Sequence, residues 1–167
     1  SIVIPNSVKV IEWYAFSGCT GLTSILIPNS VTEIGWNAFE DCTGLTSIFV
    51  ADENQHYCSE EGMLYSKDKS LLHTCLSSKT GNISIPNSVT VIGAGAFDGC
   101  TGLTSINIPN SITEIGERAF SGCTGLTSIE IPNSVKEIGN WAFRGCTGLT
   151  SIVIPNSVTV IGNSAFE

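Results

Sequence analysis

Four side chains with metal-binding or nucleophilic chemistry fall in two short segments of the sequence. Each of the two histidines stands two residues before a cysteine, in the tripeptides HYC (56–58) and HTC (73–75). Residues i and i+2 of an extended strand share a face, so a His₂Cys₂ zinc site can be drawn. The spacing fits no established zinc motif, and a disulfide or two unpaired thiols are the alternatives. The candidate ligands are His56, Cys58, His73 and Cys75.

Little else in the sequence is typical of an enzyme. Neither histidine has an obvious serine or aspartate partner for nucleophilic catalysis. No Gly-rich loop is followed by a phosphate-binding lysine. Glu33, Glu114 and Glu137 recur at one repeat position, which is typical of a solvated row rather than an acid/base pair. We therefore predict no catalytic residues, no cofactor and no enzymatic activity.

Charge and hydropathy restrict the class of partner. The formal net charge is −8 and charged residues make up only 13% of the chain, which argues against nucleic acid and anionic membrane surfaces. Hydrophobic residues make up 42%, enough to build a core. No apolar run approaches the length of a membrane span, so we expect no membrane insertion in this chain.

One repeat organises the whole chain. The pentapeptide IPNSV occurs five times and IPNSI once, and all six prolines belong to these copies. The prolines are evenly spaced except between Pro28 and Pro86, where the interval holds one regular unit and one longer unit. The chain therefore has seven units, and it begins and ends within a unit, as a piece of a longer array would. The units start at residues 2, 25, 48, 83, 106, 129 and 152.

Each unit has the chemistry of one coil of a leucine-rich-repeat solenoid, and the period lies in the twenties, as is usual for such repeats. Alternating aliphatics in TSILI (23–27) predict a strand with one buried face, and Pro28 ends it because proline has no N–H for the ladder. Asn29 and Ser30 suit the turn that follows. We predict a single solenoid with a parallel sheet on its concave face, turns and single helical turns elsewhere, and one continuous ladder of side chains inside.

The phrase C-x-x-L-x-x-I-x-I-P-x-x-V-x-x-I-G-x-x-A-F occurs at residues 19–39 and again at 123–143. In this phrase the chain resembles the Treponema-type, or BspA-like, leucine-rich repeats. The segment NQHYCSEEGMLY (54–65) resembles an insertion common in those arrays, although Cys58 and Glu61 depart from its usual residues. The resemblance implies a protein on a microbial cell surface that adheres to or binds host proteins.

The third unit, residues 48–82, lacks IPNSV and has 35 residues. Its residues 62–75 predict a β-hairpin with a polar turn at Asp68-Lys69, and we expect this hairpin to project from one rim. In that register Cys75 lies opposite Gly62 rather than Cys58, which counts against a disulfide. Two interpretations of the added residues are open: they form part of a binding face, or they only cap and stiffen the stack.

Five further cysteines share one position of the repeat. Equivalent Cβ atoms in stacked coils are parallel and about 4.8 Å apart, whereas a disulfide needs them about 3.8 Å apart and facing each other. We therefore interpret these cysteines as small hydrophobes of the core. They are Cys19, Cys42, Cys100, Cys123 and Cys146.

The candidate ligand surface is the outer face of the strands, at the middle position of I-x-I. Its first three members are apolar, which is unusual for solvent-facing positions and predicts an interaction site. Two alternatives would give the same pattern. The residues could be apolar only because they favour β-strands, or other coils could cover the patch. Over successive units the positions are Val3, Leu26, Phe49, Ser84, Asn107, Glu130 and Val153. A second candidate is the pair of positions before each Ala-Phe, where all three tryptophans of the chain occur. A structural role, in which the rings only cover the back of the coil, would also account for these tryptophans.

These observations favour an extracellular or cell-surface module that binds a protein ligand, such as a host matrix or surface protein. The alternative is an architectural spacer or lattice-forming stalk of a larger surface protein, and an intracellular scaffold is a third option.

Overall fold

The structure is a computed structural model, and it describes residues 2–167. Every regular element within these residues is a β-strand, and none is a helix. The strands are short because each coil turns a corner after two to five residues. In chain order they are β1 Val10–Ile11, β2 Ser24–Ile27, β3 Glu33–Ile34, β4 Ser47–Val50, β5 Tyr57–Glu60, β6 Met63–Ser66, β7 Leu71–Cys75, β8 Gly81–Ser84, β9 Val91–Ile92, β10 Leu103–Asn107, β11 Glu114–Ile115, β12 Ser128–Ile129, β13 Glu137–Ile138 and β14 Val160–Ile161.

The I-x-I segments of successive coils form a parallel front sheet. β2 pairs with β4, and β10 lies between β8 and β12. The register between neighbours is one repeat, so Ile25 lies opposite Ile48. In the later coils Ile106 lies opposite Ile129 in the same way. The predicted solenoid, with parallel strands near Ile25, Ile106 and Ile129, is confirmed.

A second, side sheet is built from the V-x-x-I parts of the later coils together with β7, β6 and β5 of the irregular unit, while β1 and β3 of the first two coils pair separately. β9, β11, β13 and β14 are parallel two-residue strands. The isoleucines of the first three face the core, as Ile115 and Ile138 do, whereas Ile161 in the last coil is 51% exposed. The glutamates beside them, Glu114 and Glu137, are exposed and opposite each other. Within residues 2–167, four of the seven coils contribute one front strand and one two-residue side strand, with the core between them. The first and last coils have only the side strand, and the irregular unit has β4 in front and β5 to β7 beside it.

The segments that follow the side strands are hydrogen-bonded turns, not the single helical turns expected from the sequence. The residue before each Ala-Phe has a left-handed φ, between 48° and 63°. An α-helix requires successive φ values near −60°, so it cannot pass through this residue. The residues are Tyr14, Asn37, Gly95, Arg118, Trp141 and Ser164.

The interior consists of two hydrophobic clusters rather than the single continuous ladder that we predicted. Phe16 stacks on Phe39, with ring centroids 5.5 Å apart, in the first cluster. The second contains a longer stack that begins at Phe97. The third coil has Cys75 where the others have phenylalanine. Its N–H donates to the carbonyl of Ala96 (2.6 Å), as a phenylalanine N–H does elsewhere. The phenylalanine stack is therefore interrupted at this coil.

The irregular unit lies within the stack and does not project from a rim. β6 pairs antiparallel with both β5 and β7, and it is buried. Because alternate strand residues face opposite sides, Leu64 joins the first cluster while Met63 and Tyr65 join the second. The predicted projecting hairpin is thus wrong in its placement, because β6 carries three buried apolar residues that fill the space between the two clusters.

Asn54 takes over the corner that IPNSV would have formed. This side chain is fully buried, and its amide nitrogen donates to the carbonyls of Pro28 (2.8 Å) and Val31 (3.0 Å). Its amide oxygen accepts from the N–H groups of His56 and Tyr57. One side chain therefore forms hydrogen bonds with four backbone groups and holds an irregular corner that has no regular ladder.

Candidate functional site

The apolar half of the predicted ligand surface is exposed, and two of its members are neighbours. Phe49 and Leu26 lie directly opposite each other on β4 and β2, and 56% and 54% of their surfaces are accessible. Val3 is also exposed, but it belongs to no strand. The structure therefore brings Leu26 and Phe49 together as a contiguous apolar pair on the front sheet.

The polar half of that surface lies on a separate part of the front sheet. Ser84, Asn107 and Glu130 are all exposed. Asn107 lies opposite Ser84 and its amide donates to the Ser84 hydroxyl (3.2 Å). Glu130 directly follows β12. The predicted residues thus do not form one row, because β4 and β8 do not pair with each other.

A cleft lies where the front sheet is interrupted. β4 pairs only with β2, so its other edge carries backbone groups without a strand partner within residues 2–167. Beside this edge is a cleft of about 500 Å³ with Phe49 at its wall. The other lining residues are Thr46, Ser47, Ile48, Ser59, Glu60, Glu61, Gly62, Ser78 and Lys79.

Charged side chains from the irregular unit form the far side of this cleft. Glu61 and Gly62 have φ values of 50° and 75° and close the β5–β6 connection as a two-residue turn, which places Glu60 and Glu61 at the cleft. Glu60 also pairs with Lys69 at 2.6 Å. Our sequence interpretation missed this group of residues. The Glu61-Gly62 dipeptide between two strand-like segments was the signal that could have revealed it.

His73 has a structural role that accounts for its position. It is 5% exposed, and its Nε2 lies 2.8 Å from the carbonyl oxygen of Ile34. A carbonyl only accepts, so Nε2 carries the proton, and Nδ1 accepts from the Thr74 hydroxyl at 2.8 Å. The Ile34 N–H donates to the hydroxyl of Tyr57 (2.9 Å). Two side chains thus occupy both backbone groups of Ile34, which a neighbouring strand would otherwise bind.

The four candidate zinc ligands are not brought together. Cys58 lies opposite Tyr65, while Cys75 lies opposite Met63, one residue from the predicted Gly62, because the β6–β7 register is irregular. Both are free thiols, and His56 is exposed. Within the part of the chain that the structure describes, no three histidine, cysteine or acidic side chains are placed to share a metal ion.

The repeated cysteines are free thiols that bind the preceding coil. The Sγ atoms of Cys42, Cys123 and Cys146 donate to the carbonyls of the phenylalanines 26 residues earlier, at 3.0–3.1 Å. Cys100 follows the irregular coil and has only long contacts, of 3.9 Å and 4.0 Å, to the carbonyls of Cys75 and Leu76. Burial raises the pKa of the Cys123 thiol strongly and that of Cys146 to about 11. These thiols therefore stay protonated and unreactive in the folded protein.

The second candidate surface is an aromatic corner of the coil. Trp13 and Trp36 stack in parallel with ring centroids 5.9 Å apart, and each is more than half exposed. Next to Trp36 is a recess of about 250 Å³, which we call the Trp36 slot. Its lining residues are Trp13, Tyr14, Trp36, Asn37, Ala94, Gly95, Glu117 and Arg118.

An ion cluster fixes one end of this slot across the irregular coil. The Arg118 guanidinium contacts Glu40 (3.3 Å) and Asp98 (3.0 Å). Asn37 donates to the same Asp98 carboxylate at 3.2 Å. Burial, together with the nearby Asp98 carboxylate, raises the pKa of Glu40. Coils on both sides of the irregular unit are therefore linked through one arginine.

The whole chain matches one known family of repeats. The sequence profile of the BspA type leucine rich repeat region matches residues 1–73 and 69–167, in six copies. No curated protein sequence is similar enough to this chain to count as a relative. Within residues 2–167 there is no helix with the length and apolar character that a membrane crossing requires.

Solved structures of bacterial proteins have the same fold. The chain is 38% identical to a leucine rich cell surface protein from Faecalibacterium prausnitzii, with a TM-score of 0.83 over 94% of this chain and 42% of that one. It is 28% identical to the pneumococcal vaccine antigen PcpA, with a TM-score of 0.86 over 93% of this chain and 38% of that one. For a Treponema pallidum leucine rich repeat protein the identity is 27% and the TM-score 0.53, over 96% and 72%. The chain thus spans less than half of the first two structures.

Proposed function

The chain belongs to the BspA-type leucine-rich-repeat family, and from that premise we propose that it is an extracellular, cell-surface module that binds a protein ligand and acts in adhesion. The partner that we propose is a host matrix or surface protein. Support comes from its similarity to one protein described as a cell surface protein and to another described as a vaccine antigen.

The observation that carries the proposal is a half-exposed phenylalanine at an unpaired strand edge. Phe49 and Leu26 form an apolar pair, and an edge strand beside them offers free N–H and C=O groups. An extended segment of a partner can add to such an edge through main-chain hydrogen bonds, while apolar side chains beside the edge select its sequence. The cleft of about 500 Å³ beside Phe49 provides room for such a segment.

The hydrogen bonds formed by His73 and by the stacked cysteines support binding rather than catalysis as the proposed activity. His73 is committed to the carbonyl of Ile34, and burial lowers its pKa. The thiols of Cys42 and Cys123 are committed to carbonyls of the preceding coil. Side chains that are held in backbone hydrogen bonds in this way stabilise the coil, and they are not free for proton transfer or nucleophilic attack.

A pair of phenylalanine substitutions tests the proposed site. Phe49→Ala should leave the melting temperature nearly unchanged, because much of its ring is solvent-exposed, and should weaken binding by about 1–3 kcal/mol if it is an interface anchor. Phe39→Ala removes a ring that is only 5% exposed and should cost about 3–5 kcal/mol of stability. Both variants are compared by thermal melting and by binding to a panel of immobilised host matrix proteins.

Two outcomes would contradict the proposal. If Phe49→Ala melts as early as Phe39→Ala, the ring belongs to the core. If Phe49→Ala folds normally and binds a matrix protein as tightly as the unmodified chain does, the site is not at Phe49. Absence of binding to the whole panel by the unmodified chain would favour the architectural spacer or stalk.

A further inference from the structure

One face of Trp36 is left uncovered by the irregular coil. Trp13 covers the other face, with parallel rings. In the third coil a single residue separates His73 from Cys75. No residue of this coil therefore takes the position that Trp36 has in the second coil, and the coil supplies no side chain to the aromatic ladder. In the fourth coil the equivalent residue is Ala94, whose methyl group is too short to cover an indole ring. Trp36 accordingly remains 51% exposed although it is stacked, and its free side borders the slot.

The spacing of the coils sets the size that we expect for the slot along the stack. Consecutive coils are spaced by about 4.8 Å, so a missing ladder step leaves room for one planar layer against the ring. The floor carries almost no side-chain bulk, because Ala94 and Gly95 line it. Asn37 crosses beneath the opening to reach Asp98 (3.2 Å), which closes the base of the slot. The remaining volume is about 250 Å³.

The charges at this place favour a cation. Arg118 also lines the slot, but two carboxylates, Glu40 and Asp98, already pair with it. Glu117 lines the slot as well, and within residues 2–167 no lysine or arginine forms a salt bridge with its carboxylate. A second recess, of about 370 Å³, continues from Trp36 and is lined by Glu117, Glu114 and Glu137 among others. An indole face and an unpaired carboxylate attract the same kind of group, a planar cation.

We propose that the Trp36 slot binds the guanidinium group of an arginine in an extended segment of a partner protein. The guanidinium stacks on the free face of Trp36 and forms a charge-assisted pair with Glu117. The rest of the segment follows the adjoining acidic recess along the side sheet. This site goes beyond the protein-binding function proposed for the Phe49 cleft, and it lies on a different set of residues.

The test uses a short synthetic peptide with two arginines in a glycine-serine background. Its control is the same peptide with citrulline, a neutral isostere of arginine, at both positions. Binding is followed by quenching of tryptophan fluorescence in a Trp141→Phe background, so that Trp13 and Trp36 alone report. We expect saturable quenching by the arginine peptide that weakens with added salt, and at least tenfold weaker binding of the citrulline peptide.

Two substitutions, each with a matched control, locate the effect. Ala94→Phe continues the aromatic ladder without adding a tryptophan and should abolish quenching by filling the slot, while Asn163→Phe, at the same repeat position of the last coil, should leave it unchanged. Glu117→Gln should weaken binding about tenfold, and Glu53→Gln, which changes an exposed carboxylate outside both candidate sites, serves as its control. Circular dichroism and melting temperature establish that each variant is folded.

The proposal is overturned if the arginine and citrulline peptides bind equally, or if a folded Ala94→Phe protein still binds the arginine peptide. Methyl glucoside is titrated in parallel, because a sugar ring can also stack on an indole. Quenching by the glucoside without binding of the arginine peptide would assign the slot to a saccharide and overturn the cation proposal. None of these results bears on matrix-protein binding at Phe49, so the two proposals fail separately.

Discussion

At the scale of single residues, side chains of the irregular unit replace backbone partners that a regular coil would provide. Asn54 satisfies four backbone groups, and His73 and Tyr57 satisfy both groups of Ile34. The sequence placed His73 two residues from Cys75 and so suggested a metal site. It could not show that Ile34, 39 residues earlier, needs a hydrogen-bond donor, because that need arises only when the coils stack.

The buried neutral state of His73 predicts a pH dependence of stability. Burial lowers the pKa of His73 below its ordinary value of about 6.5. As the pH falls through about 6.5, the unfolded chain takes up a proton that the folded chain does not, so the free energy of unfolding falls with decreasing pH. His73→Gln keeps a donor but removes this titration, and it should therefore show a shallower pH dependence in urea unfolding between pH 7.5 and 5.

The other histidine provides the matched control. His56 is exposed, so His56→Gln should retain the pH dependence of the unmodified protein. His73→Ala leaves the carbonyl of Ile34 without a donor and should cost about 1–3 kcal/mol at neutral pH. An unchanged pH slope in His73→Gln would show that this side chain is not buried as described.

At the scale of elements, the repeat itself allowed the regular coils to be predicted. A constant period sets the register of every parallel pair of regular coils, so the position of a strand such as β2 follows from the sequence alone. The third unit has no second copy in the chain, and nothing in the pattern tells whether its hairpin lies inside or outside the stack. Three buried apolar residues in succession on β6 decide the matter, since a projecting hairpin would expose them. The break in the front sheet, and with it the Phe49 cleft, is a consequence of that placement and could not be predicted separately.

The stacked thiols predict an order of reactivity. In the folded protein at pH 8, the buried thiols of Cys42 and Cys123 should be protected from iodoacetamide. With a pKa of about 11, only about one part in a thousand of Cys146 is thiolate at that pH, so it should also react slowly. Cys58 is half-buried and belongs to no stack, so it should be modified earlier than Cys123. Mass spectrometry of the alkylated peptides measures the order.

Unfolding the protein without reducing it provides the second half of that test. At least five of the seven cysteines should then react, since all are free thiols in the structure. Two or more stack cysteines recovered in disulfides would contradict the geometry in which each Sγ donates to a carbonyl of the coil before it.

At the scale of the whole molecule, two hydrophobic clusters meet at one strand. The first cluster holds the early coils and the second, larger cluster holds the later ones, with residues of β6 in both. Stability in a stacked repeat protein is close to a sum of units and of the interfaces between neighbours. Weakening the interface at β6 should therefore let the two halves unfold separately. An equal loss of stability inside either half should leave them unfolding together.

Leu64→Ala tests this coupling. Leu64 is fully buried and lies at the junction, so its truncation should cost about 2–5 kcal/mol. We expect two transitions in urea, with Trp13 and Trp36 reporting on the first half and Trp141 on the second. Leu45→Ala, equally buried but within the first cluster, is the control and should lower the midpoint of a single transition that both halves still share. A single coincident transition in Leu64→Ala would mean that the clusters unfold as one.

The irregular unit also restricts how the coils can align with one another during folding. Nearly identical coils can pair with the wrong neighbour, since a slip of one whole repeat places isoleucine on isoleucine and phenylalanine on phenylalanine at little cost. A slip past the third unit is different, because the buried side chains of β6 fill the space between the two clusters and no other coil has a strand like it. Each large apolar side chain left exposed by such a slip would cost about 1.5–3 kcal/mol. The one irregular unit therefore fixes which coil pairs with which, and the stack has a unique alignment because it is not perfectly periodic.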